Sequence, residues 1–304
     1  MRRKEKPVSE TTSYELRTGL FKNFAEITKM RLSISVVFSS LAGYLLAADT
    51  IDPLTRALLV VGGYCMVGAS NVYNQIIERD LDALMKRTMN RPVPSGRVSV
   101  SAAFVLGSVL TLSGLTALYV INPKTAMFGA ISIFMYVSLY TPLKTRTPLA
   151  VFVGAFPGAI PFMLGWVAAT NDFGIEPGTL FMIQFFWQFP HFWAIGWFLH
   201  DDYQKAGFRM LPTGKKDSGT AIQAVLYSIW TVLASLIPAF GVTGSLYLSP
   251  VAAVLIGLLG IWMVYHAIRL YRLQTDKAAR RLMLVSVSYI TLLQIIYVID
   301  KFLH

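Results

Sequence analysis

The sequence predicts an all-α polytopic membrane protein with about nine transmembrane helices, and three observations indicate this fold class. Of its 304 residues, 55% are hydrophobic and only 14% are charged, which is too apolar for an ordinary soluble domain. The apolar residues form repeated runs of roughly 20, the length that crosses a bilayer core of about 30 Å as a helix. The runs are continuous, whereas a β-barrel needs alternating polar and apolar residues.

The predicted spans follow an N-terminal arm of residues 1–31, and residues 32–304 form a single transmembrane domain. Helices one to four and five to eight are interpreted as two bundles of repeated topology, with a ninth helix after them. In chain order the predicted spans are Leu32–Ala48, Leu54–Ile77, Val98–Ile121, Thr125–Tyr140, Pro148–Ala169, Gly178–Leu199, Ser218–Phe240, Tyr247–Ile268 and Leu282–Ile299.

The distribution of the 27 Lys and Arg residues predicts a cytoplasmic N-terminus, because basic loops stay on the cytoplasmic side. With that orientation, 24 of them lie on the inner side and only Arg56, Lys124 and Lys301 lie elsewhere. The net charge of +11 is therefore interpreted as a topology signal. No other feature indicates nucleic-acid binding.

The beginning of the chain predicts no cleaved leader. Its first 30 residues contain no apolar segment of signal-peptide type, and they include Glu5, Glu10 and Glu15, which argues against a mitochondrial transit peptide. A bacterial inner membrane is the expected location. The single cysteine, Cys65, lies in an apolar span, so no intrachain disulfide is expected and its predicted role is packing.

The inner end of the second predicted helix carries polar side chains at regular spacing. Asn74, Glu78 and Asp82 are four residues apart, so each step rotates by only about 40° and all three project from one helix face. Oxygen ligands on one face suit Mg²⁺, which completes its shell with water and substrate phosphates. In the alternative interpretation, the two acids make ordinary ion pairs at a solvated helix end.

Basic residues follow directly. Lys86, Arg87 and Arg91 precede Pro92 and Pro94, which end helical structure and are expected to fold the basic groups back toward the acids. A metal ion together with guanidinium groups binds a diphosphate well. The chemistry of the protein is therefore predicted at the cytoplasmic side.

A second polar region ends the sixth predicted helix. It contains Asp201 and Asp202 followed by Lys205 and Arg209. As in the first region, carboxylates at the inner end of a helix are followed by basic residues. The two acidic helix ends are four helices apart, in agreement with two repeated bundles.

His191 lies about two turns inside the sixth helix. An ionisable residue within a membrane span is a functional candidate, and a neutral imidazole commonly binds haem iron. A histidine that only forms a hydrogen bond between helices is the alternative. For most of the surrounding aromatic residues, packing is the preferred interpretation; they are Phe185, Phe186, Trp187, Phe189, Phe192, Trp193, Trp197 and Phe198.

These motifs resemble those of the membrane-embedded UbiA-type prenyltransferase superfamily, whose first signature is an Asn-x-x-x-acid-x-x-x-Asp run after the second helix. Within it they are similar to the protohaem IX farnesyltransferase (haem O synthase) branch, over nearly the whole chain after the arm. Two positions depart from the wider superfamily pattern: Glu78 replaces an Asp, and the second motif is not a spaced pair of aspartates. Either Asp201 or Asp202 is therefore the second metal ligand that the resemblance implies, and Asp202 is the favoured one. The first motif matches at Asn74, Gln75, Glu78, Asp82, Met85, Arg87, Thr88, Arg91, Pro92 and Gly96. Later motifs match at Tyr140, Lys144, Thr147, Gly154, Gly158, Pro161, Trp187, Gln188, Pro190, His191, Asp202, Tyr203, Gly207, Met210 and Pro212.

The resemblance implies a two-bundle prenyltransferase-like fold and a reaction in which farnesyl diphosphate alkylates a vinyl group of haem B with addition of water, giving haem O for haem–copper oxidases. It implies Mg²⁺ as cofactor, the lipid bilayer as environment, and a haem A synthase or terminal oxidase as assembly partner. His191 is expected to orient the haem. The implied metal ligands and catalytic residues are Asn74, Glu78, Asp82 and Asp202, and the implied substrate-binding residues are Arg87, Arg91, Lys144, Lys205 and Tyr203.

Two other functions remain to be distinguished. A related prenyltransferase with a quinone precursor or another aromatic acceptor would share the acidic motifs, but the Trp187–His191 run argues against it. A secondary transporter also uses repeats and broken helices. Transporters bind substrate near the bilayer midplane, however, whereas the acids here lie at the cytoplasmic edge.

Overall fold

The computed structural model describes residues 19–304, so residues 1–18 of the predicted N-terminal arm lie outside it. In this range the chain is helical and contains no strand, which confirms the all-α prediction. Residues 19–27 form a helix that precedes the long ones. The nine long helices, α1 to α9, are Met30–Ala47, Pro53–Ile77, Val100–Ile121, Pro123–Phe134, Ala150–Thr170, Ile175–Phe198, Ser218–Leu236, Pro250–Leu273 and Asp276–Leu303.

Eight of these nine helices are long and apolar enough to cross a membrane, when α4 is taken with its continuation to Leu143 and α7 with its continuation to Phe240. The exception in the described range is α6. It has 24 residues, but it carries Gln184, Gln188 and His191 among its aromatic residues. The predicted count of nine spans is therefore supported for eight, and a membrane crossing by α6 stays a prediction.

Polar caps followed by proline explain where several helices begin. Asp52 accepts hydrogen bonds from the backbone N–H groups of Leu54 and Thr55 at the start of α2, and Asn122 caps α4 through the N–H of Thr125. In both helices proline occupies the first position, where its missing N–H and fixed φ cost nothing. These short caps let consecutive helices reverse direction within a few residues.

Helix α5 lies at the centre of the bundle. It is 72% buried, whereas the other seven candidate spans are 28–44% buried, and it packs against α1, α4 and α6. Around it, α2 packs against α3, α7 against α6 and α8, and α9 against α6 and α8. The outer helices expose apolar side chains such as Leu112 and Val251, as expected for a surface that faces lipid.

The contact between α1 and α5 brings two backbones together. A methyl group added to Gly43 would overlap the carbonyl oxygen of Phe162, and one added to Gly165 would overlap that of Ser40. Small residues permit this close approach in membrane helices. The first helices of the two predicted bundles thus meet along a glycine contact, which fixes the wall of the cavity described below.

Helix α4 continues into a π-helical segment, Met135–Tyr140, and a short helix, Thr141–Leu143. Single π turns within α-helices often occur at functional sites. The Thr141 hydroxyl donates to the carbonyl of Tyr136 at 2.8 Å, and Tyr136, Tyr140 and Lys144 all line the central cavity. The π-helical segment and the short helix after it therefore place three polar side chains in the cavity lining.

Candidate active site

A cavity of about 800 Å³ lies between α1, α2, α4, α5, α6 and α9. Its volume is at the upper end of the range for small-molecule sites, about 300–1,000 Å³. At the end formed by the C-termini of α2 and α4 the lining is charged. Further along, the lining consists of glutamine, serine, aromatic and aliphatic side chains from α1, α5, α6 and α9. One space therefore joins an ionic end to a largely apolar interior.

Two buried ion pairs form the charged end. The Lys144 ammonium lies 2.7 Å from Glu78 Oε1, and the Arg91 guanidinium donates to Asp82 Oδ2 at 2.7 Å. Glu78 is only 3% exposed and Asp82 only 1%. The alternative of a solvated helix end is therefore wrong, because these carboxylates are removed from bulk water and each has a basic partner.

The chain breaks at Glu78 and then returns. α2 ends at Ile77, Glu78 leaves helical geometry, and a four-residue helix, Arg79–Asp82, follows. The Asp82 N–H still donates to the Glu78 carbonyl at 2.7 Å, so Asn74, Glu78 and Asp82 all line the cavity. The Thr88 hydroxyl donates to the Asp82 carbonyl at 2.8 Å. The predicted return of basic groups toward the acids is confirmed for Arg91.

Lys144 is held by its charge partner and by aromatic faces. Its ammonium lies 4.6 Å from the ring centre of Tyr140 and 5.6 Å from that of Phe208. Burial is the largest single influence and lowers the pKa of Lys144, but the Glu78 carboxylate, Tyr136 and Tyr203 together raise it by more, so that the net pKa lies above its ordinary value. Lys144 is therefore a charged donor inside the cavity.

Lys29 is a further basic residue of the cavity that the sequence analysis did not single out. It precedes α1 with a left-handed φ of 47°, a conformation that is uncommon for non-glycine residues and concentrated at functional sites. Burial, together with the cations Arg91 and Lys144, lowers its pKa to about 7. The positive φ of Lys29 was not visible in the sequence, where Lys29 was counted only among the basic residues that indicate the membrane orientation.

Asp202 and Lys205 lie outside the cavity lining, whereas Arg87, Tyr203 and His191 are part of it. The Asp202 carboxylate accepts hydrogen bonds from the backbone N–H groups of Lys86 at 3.2 Å and Arg87 at 3.4 Å. Burial raises the pKa of this carboxyl, but the two amide donors and Lys205 lower it by more, so that its net pKa is below the ordinary value. Asp202 thus joins the loop after α2 to the end of α6.

Asp201, the other candidate ligand, is exposed to solvent. Its side chain is 86% exposed and lies 3.7 Å from the Lys216 ammonium. Neither aspartate of the second motif faces the cavity in this structure.

The residues at the charged end suit a magnesium ion. Asp82 uses Oδ2 for Arg91, while its buried Oδ1 has no hydrogen-bond partner within residues 19–304. Mg²⁺ takes one or two carboxylates and completes its octahedral shell with water and phosphate oxygens. The same range contains no group of three or more His, Cys, Asp and Glu side chains able to hold a metal. A site here would depend on Glu78, Asp82, the Asn74 amide and a phosphorylated ligand.

His191 belongs to the interior part of the cavity. Its Nδ1 lies 2.9 Å from the Ser286 hydroxyl of α9, and its ring stacks on Trp187 with centroids 4.7 Å apart and planes inclined by 18°. Trp187 and Phe192 also line the cavity. Phe189, Trp193 and Trp197 are buried in the helix core, as their packing interpretation predicted.

The fold and this site define a class: a helical membrane protein with an intramembrane cavity whose ionic end can hold a phosphorylated, apolar-tailed substrate. Solved structures share the fold. A structure of digeranylgeranylglyceryl phosphate synthase matches with a TM-score of 0.78 and 18% identity over 93% of this chain and 99% of that chain. A UbiA homologue from Aeropyrum pernix matches with a TM-score of 0.70 and 17% identity, over 88% of this chain and 97% of that one.

The chain belongs to the UbiA prenyltransferase family, which it matches over residues 36–292, and it is a multi-pass membrane protein. It is 69% identical to the Protoheme IX farnesyltransferase of Christiangramia forsetii, over 98% of this chain and 99% of that protein. It is 68% identical to the Protoheme IX farnesyltransferase of Flavobacterium psychrophilum, over 94% of this chain and 96% of that protein.

Proposed function

We propose that this chain transfers the farnesyl group of farnesyl diphosphate to a vinyl group of haem B, with addition of water, to give haem O and diphosphate. The observation that carries this proposal is the 69% identity to a Protoheme IX farnesyltransferase over 98% of the chain. The cavity supports it, since its ionic end suits the diphosphate and its interior suits a farnesyl chain and a porphyrin.

Magnesium is the proposed cofactor. A UbiA homologue from Archaeoglobus fulgidus has been solved with GPP and Mg²⁺, and it shares the fold with a TM-score of 0.62 at 12% identity over 90% of this chain and 99% of that one. In this chain, Asn74, Glu78 and Asp82 would hold the ion. When bound, Mg²⁺ supplies positive charge that stabilises the departing diphosphate.

The basic residues of the cavity are the proposed diphosphate donors. Lys144 and Arg91 each pair with a carboxylate, and they would transfer their hydrogen bonds to phosphate oxygens when the carboxylates turn to the metal. Arg87 and Lys29 also line this end. These fixed positive charges stabilise the negative charge that develops as the allylic carbon–oxygen bond breaks.

Asp202 supports this arrangement from outside the cavity. By accepting hydrogen bonds from the Lys86 and Arg87 amides, it fixes the backbone from which Arg87 projects. A direct metal contact by Asp202 stays a prediction, which requires the carboxylate to release these amides. The same applies to diphosphate binding by Lys205, whose ammonium lies 3.5 Å from Asp202.

The interior of the cavity is the proposed acceptor site. His191 and Trp187 line it from α6, and a planar aromatic ring such as Trp187 suits contact with a porphyrin face. The allylic cation formed at the ionic end would be captured by the vinyl group of the haem. Apolar walls would exclude bulk water from the allylic cation. Formation of the carbon–carbon bond moves the positive charge to the vinyl carbon next to the porphyrin, where one water molecule would add and release a proton to give the hydroxyethylfarnesyl product.

The proposed orientation places the N-terminus and the ionic end of the cavity on the cytoplasmic side of a bacterial inner membrane. The support is the excess of Lys and Arg in alternate loops. Single cysteines introduced at Lys86 and Asp172 in a Cys65→Ala background should label from opposite sides of the membrane. Labelling of both from the same side would contradict the topology.

Mass spectrometry of the purified protein with haem B, farnesyl diphosphate and Mg²⁺ tests the reaction. We expect metal-dependent haem O formation that collapses in Glu78→Gln and Asp82→Asn. Asp172→Asn serves as the matched control, because the Asp172 side chain is 76% exposed and forms an ion pair with the exposed Lys124. Release of diphosphate without a haem product would reject haem as acceptor and favour another aromatic acceptor. Absence of both products would reject the transferase.

A further inference from the structure

We propose that His191 Nε2 binds the haem iron as an axial ligand, and that Ser286 on α9 is the positioning residue that fixes the imidazole tautomer required for it. This inference rests on the proposed function, because it assigns a part of the acceptor site to named atoms. It joins two residues that are 95 positions apart in the chain.

The hydrogen bonds around Ser286 determine which ring nitrogen of His191 carries the proton. The Ser286 hydroxyl lies 2.7 Å from the Met283 carbonyl oxygen, to which it donates. A hydroxyl has one proton and a carbonyl can only accept, so the Ser286 oxygen receives the Nδ1–H of His191 across 2.9 Å. A neutral imidazole that carries its proton on Nδ1 has its lone pair on Nε2. The ring thus has its ligating atom on the side away from Ser286.

Trp187 fixes the plane of the same ring. Its indole N–H donates to the Ser286 backbone carbonyl at 2.6 Å, while its ring stacks on the imidazole at 4.7 Å. Ser286 therefore anchors both aromatic rings, His191 by its side chain and Trp187 by its backbone. Metal-binding histidines usually donate their second ring N–H to such an orienting group, which fixes the tautomer and makes the ligand nitrogen more basic.

The depth of His191 suits the acceptor. It lies seven residues before the end of α6 at Phe198, which corresponds to roughly 10 Å along the helix axis. The ion pairs of the cavity lie at the ends of α2 and α4 instead, so His191 is separated from the proposed diphosphate site while it lines the same space. An iron bound at Nε2 would hold the porphyrin in the interior part of the cavity, with its edge free to approach the allylic carbon.

The test compares ferric haem with metal-free protoporphyrin IX, which has the same ring, vinyl groups and propionates but no iron. Wild type, His191→Ala, Ser286→Ala and Ser286→Thr are titrated as full-length protein in lipid nanodiscs without farnesyl diphosphate. Loss of an orienting partner typically costs about 10–100-fold in metal affinity, so Ser286→Ala should weaken haem binding by that factor and His191→Ala by more. Ser286→Thr retains the hydroxyl and should bind haem as wild type does.

The decisive readout is dependence on iron. We expect both alanine variants to bind metal-free protoporphyrin with unchanged affinity, and the haem spectrum of wild type to show nitrogen ligation that is lost in His191→Ala. Equal losses for both porphyrins would overturn the inference, because His191 would then act only by packing. A wild-type spectrum without nitrogen ligation would overturn it even if a variant fails to fold.

A parallel assay separates this inference from the proposed function. If the wild-type protein forms haem O but His191→Ala shows no iron-specific loss, the inference falls and the function stands. If the wild-type protein forms no haem O, both the proposed function and this inference are rejected. Binding of farnesyl thiodiphosphate, a non-ionising analogue, should remain at the wild-type value in Ser286→Ala, and its loss there would contradict a role confined to the haem.

Discussion

Replacing Lys144 by methionine should destabilise the protein through the charge that it leaves behind. The Lys144 ammonium lies 2.7 Å from Glu78 Oε1, and the two side chains are only 9% and 4% exposed. At that separation, an effective dielectric constant of about 20 gives a Coulomb attraction of about 6 kcal/mol. Most of this attraction offsets the cost of removing both charges from water. Removal of one partner, however, leaves the other charge buried and alone, at a cost of about 3–5 kcal/mol.

The comparison with Lys124→Met isolates the effect of burial. Lys124 pairs with Asp172 at 3.4 Å, but the two side chains are 45% and 76% exposed, and exposed pairs contribute only about 0–1 kcal/mol. The double variant Glu78→Gln/Lys144→Met removes both charges and should be more stable than Lys144→Met alone. Chemical unfolding in detergent with a metal chelator present measures these three variants, the single variant Glu78→Gln and the wild type. The reasoning is refuted if Lys144→Met costs no more than Lys124→Met, or if the double variant loses the sum of its single effects.

Three further predictions concern pH, packing and the loop after α2. The free energy of unfolding should rise between about pH 7 and 10.5, because burial lowers the pKa of Lys29 to about 7 in the folded state, whereas Lys29 keeps its proton in the unfolded chain throughout that window. Unfolding curves at pH 7.5 and 9.5 measure this rise, and Lys29→Met should lose part of it. An unchanged rise in the variant would contradict the assignment. Gly165→Ala should abolish stable folding, since the added methyl group would overlap a backbone oxygen. Gly178→Ala places its methyl group in open space and should raise or maintain the thermal midpoint in detergent. Similar midpoints for the two variants would rule out the backbone contact. Asp202→Asn should weaken the binding of farnesyl thiodiphosphate by about 10-fold or more, because the hydrogen bond that fixes the Arg87 backbone is weakened. Calorimetry measures this affinity, and an unchanged value would show that the hydrogen bond does not position the site.

The helices were predictable from sequence because a long apolar run bounded by polar caps determines a membrane helix almost by itself. The acidic face at Asn74, Glu78 and Asp82 was predictable for a related reason, since it depends on spacing within one helix. The break at Glu78 and the π turn at Met135–Tyr140 were not, because neither contains a residue that requires it.

Contacts between distant parts of the chain were the main omission. Asp202 was predicted as a metal ligand from the family resemblance, and the structure adds backbone amides 115 and 116 positions away as its hydrogen-bond partners. The sequence could not predict these partners, because a backbone amide leaves no trace in the side-chain pattern. Lys29 was counted as a topology charge, although the structure places it in the lining of the cavity. The Ser286 partner of His191 was equally hidden, because serine is common on membrane helices.

The paired charges of the cavity also determine how its ligands influence each other. Each carboxylate has a basic partner, so a metal ion that bound alone would displace an ammonium or guanidinium, and a diphosphate that bound alone would displace a carboxylate. When both bind, each displaced group finds a new partner. Such coupling would be reciprocal: the proposed magnesium ion would tighten the binding of the diphosphate by the same factor by which the diphosphate tightens that of magnesium. The site would thereby favour the complete metal–diphosphate pair over free metal ions or metal-free anions.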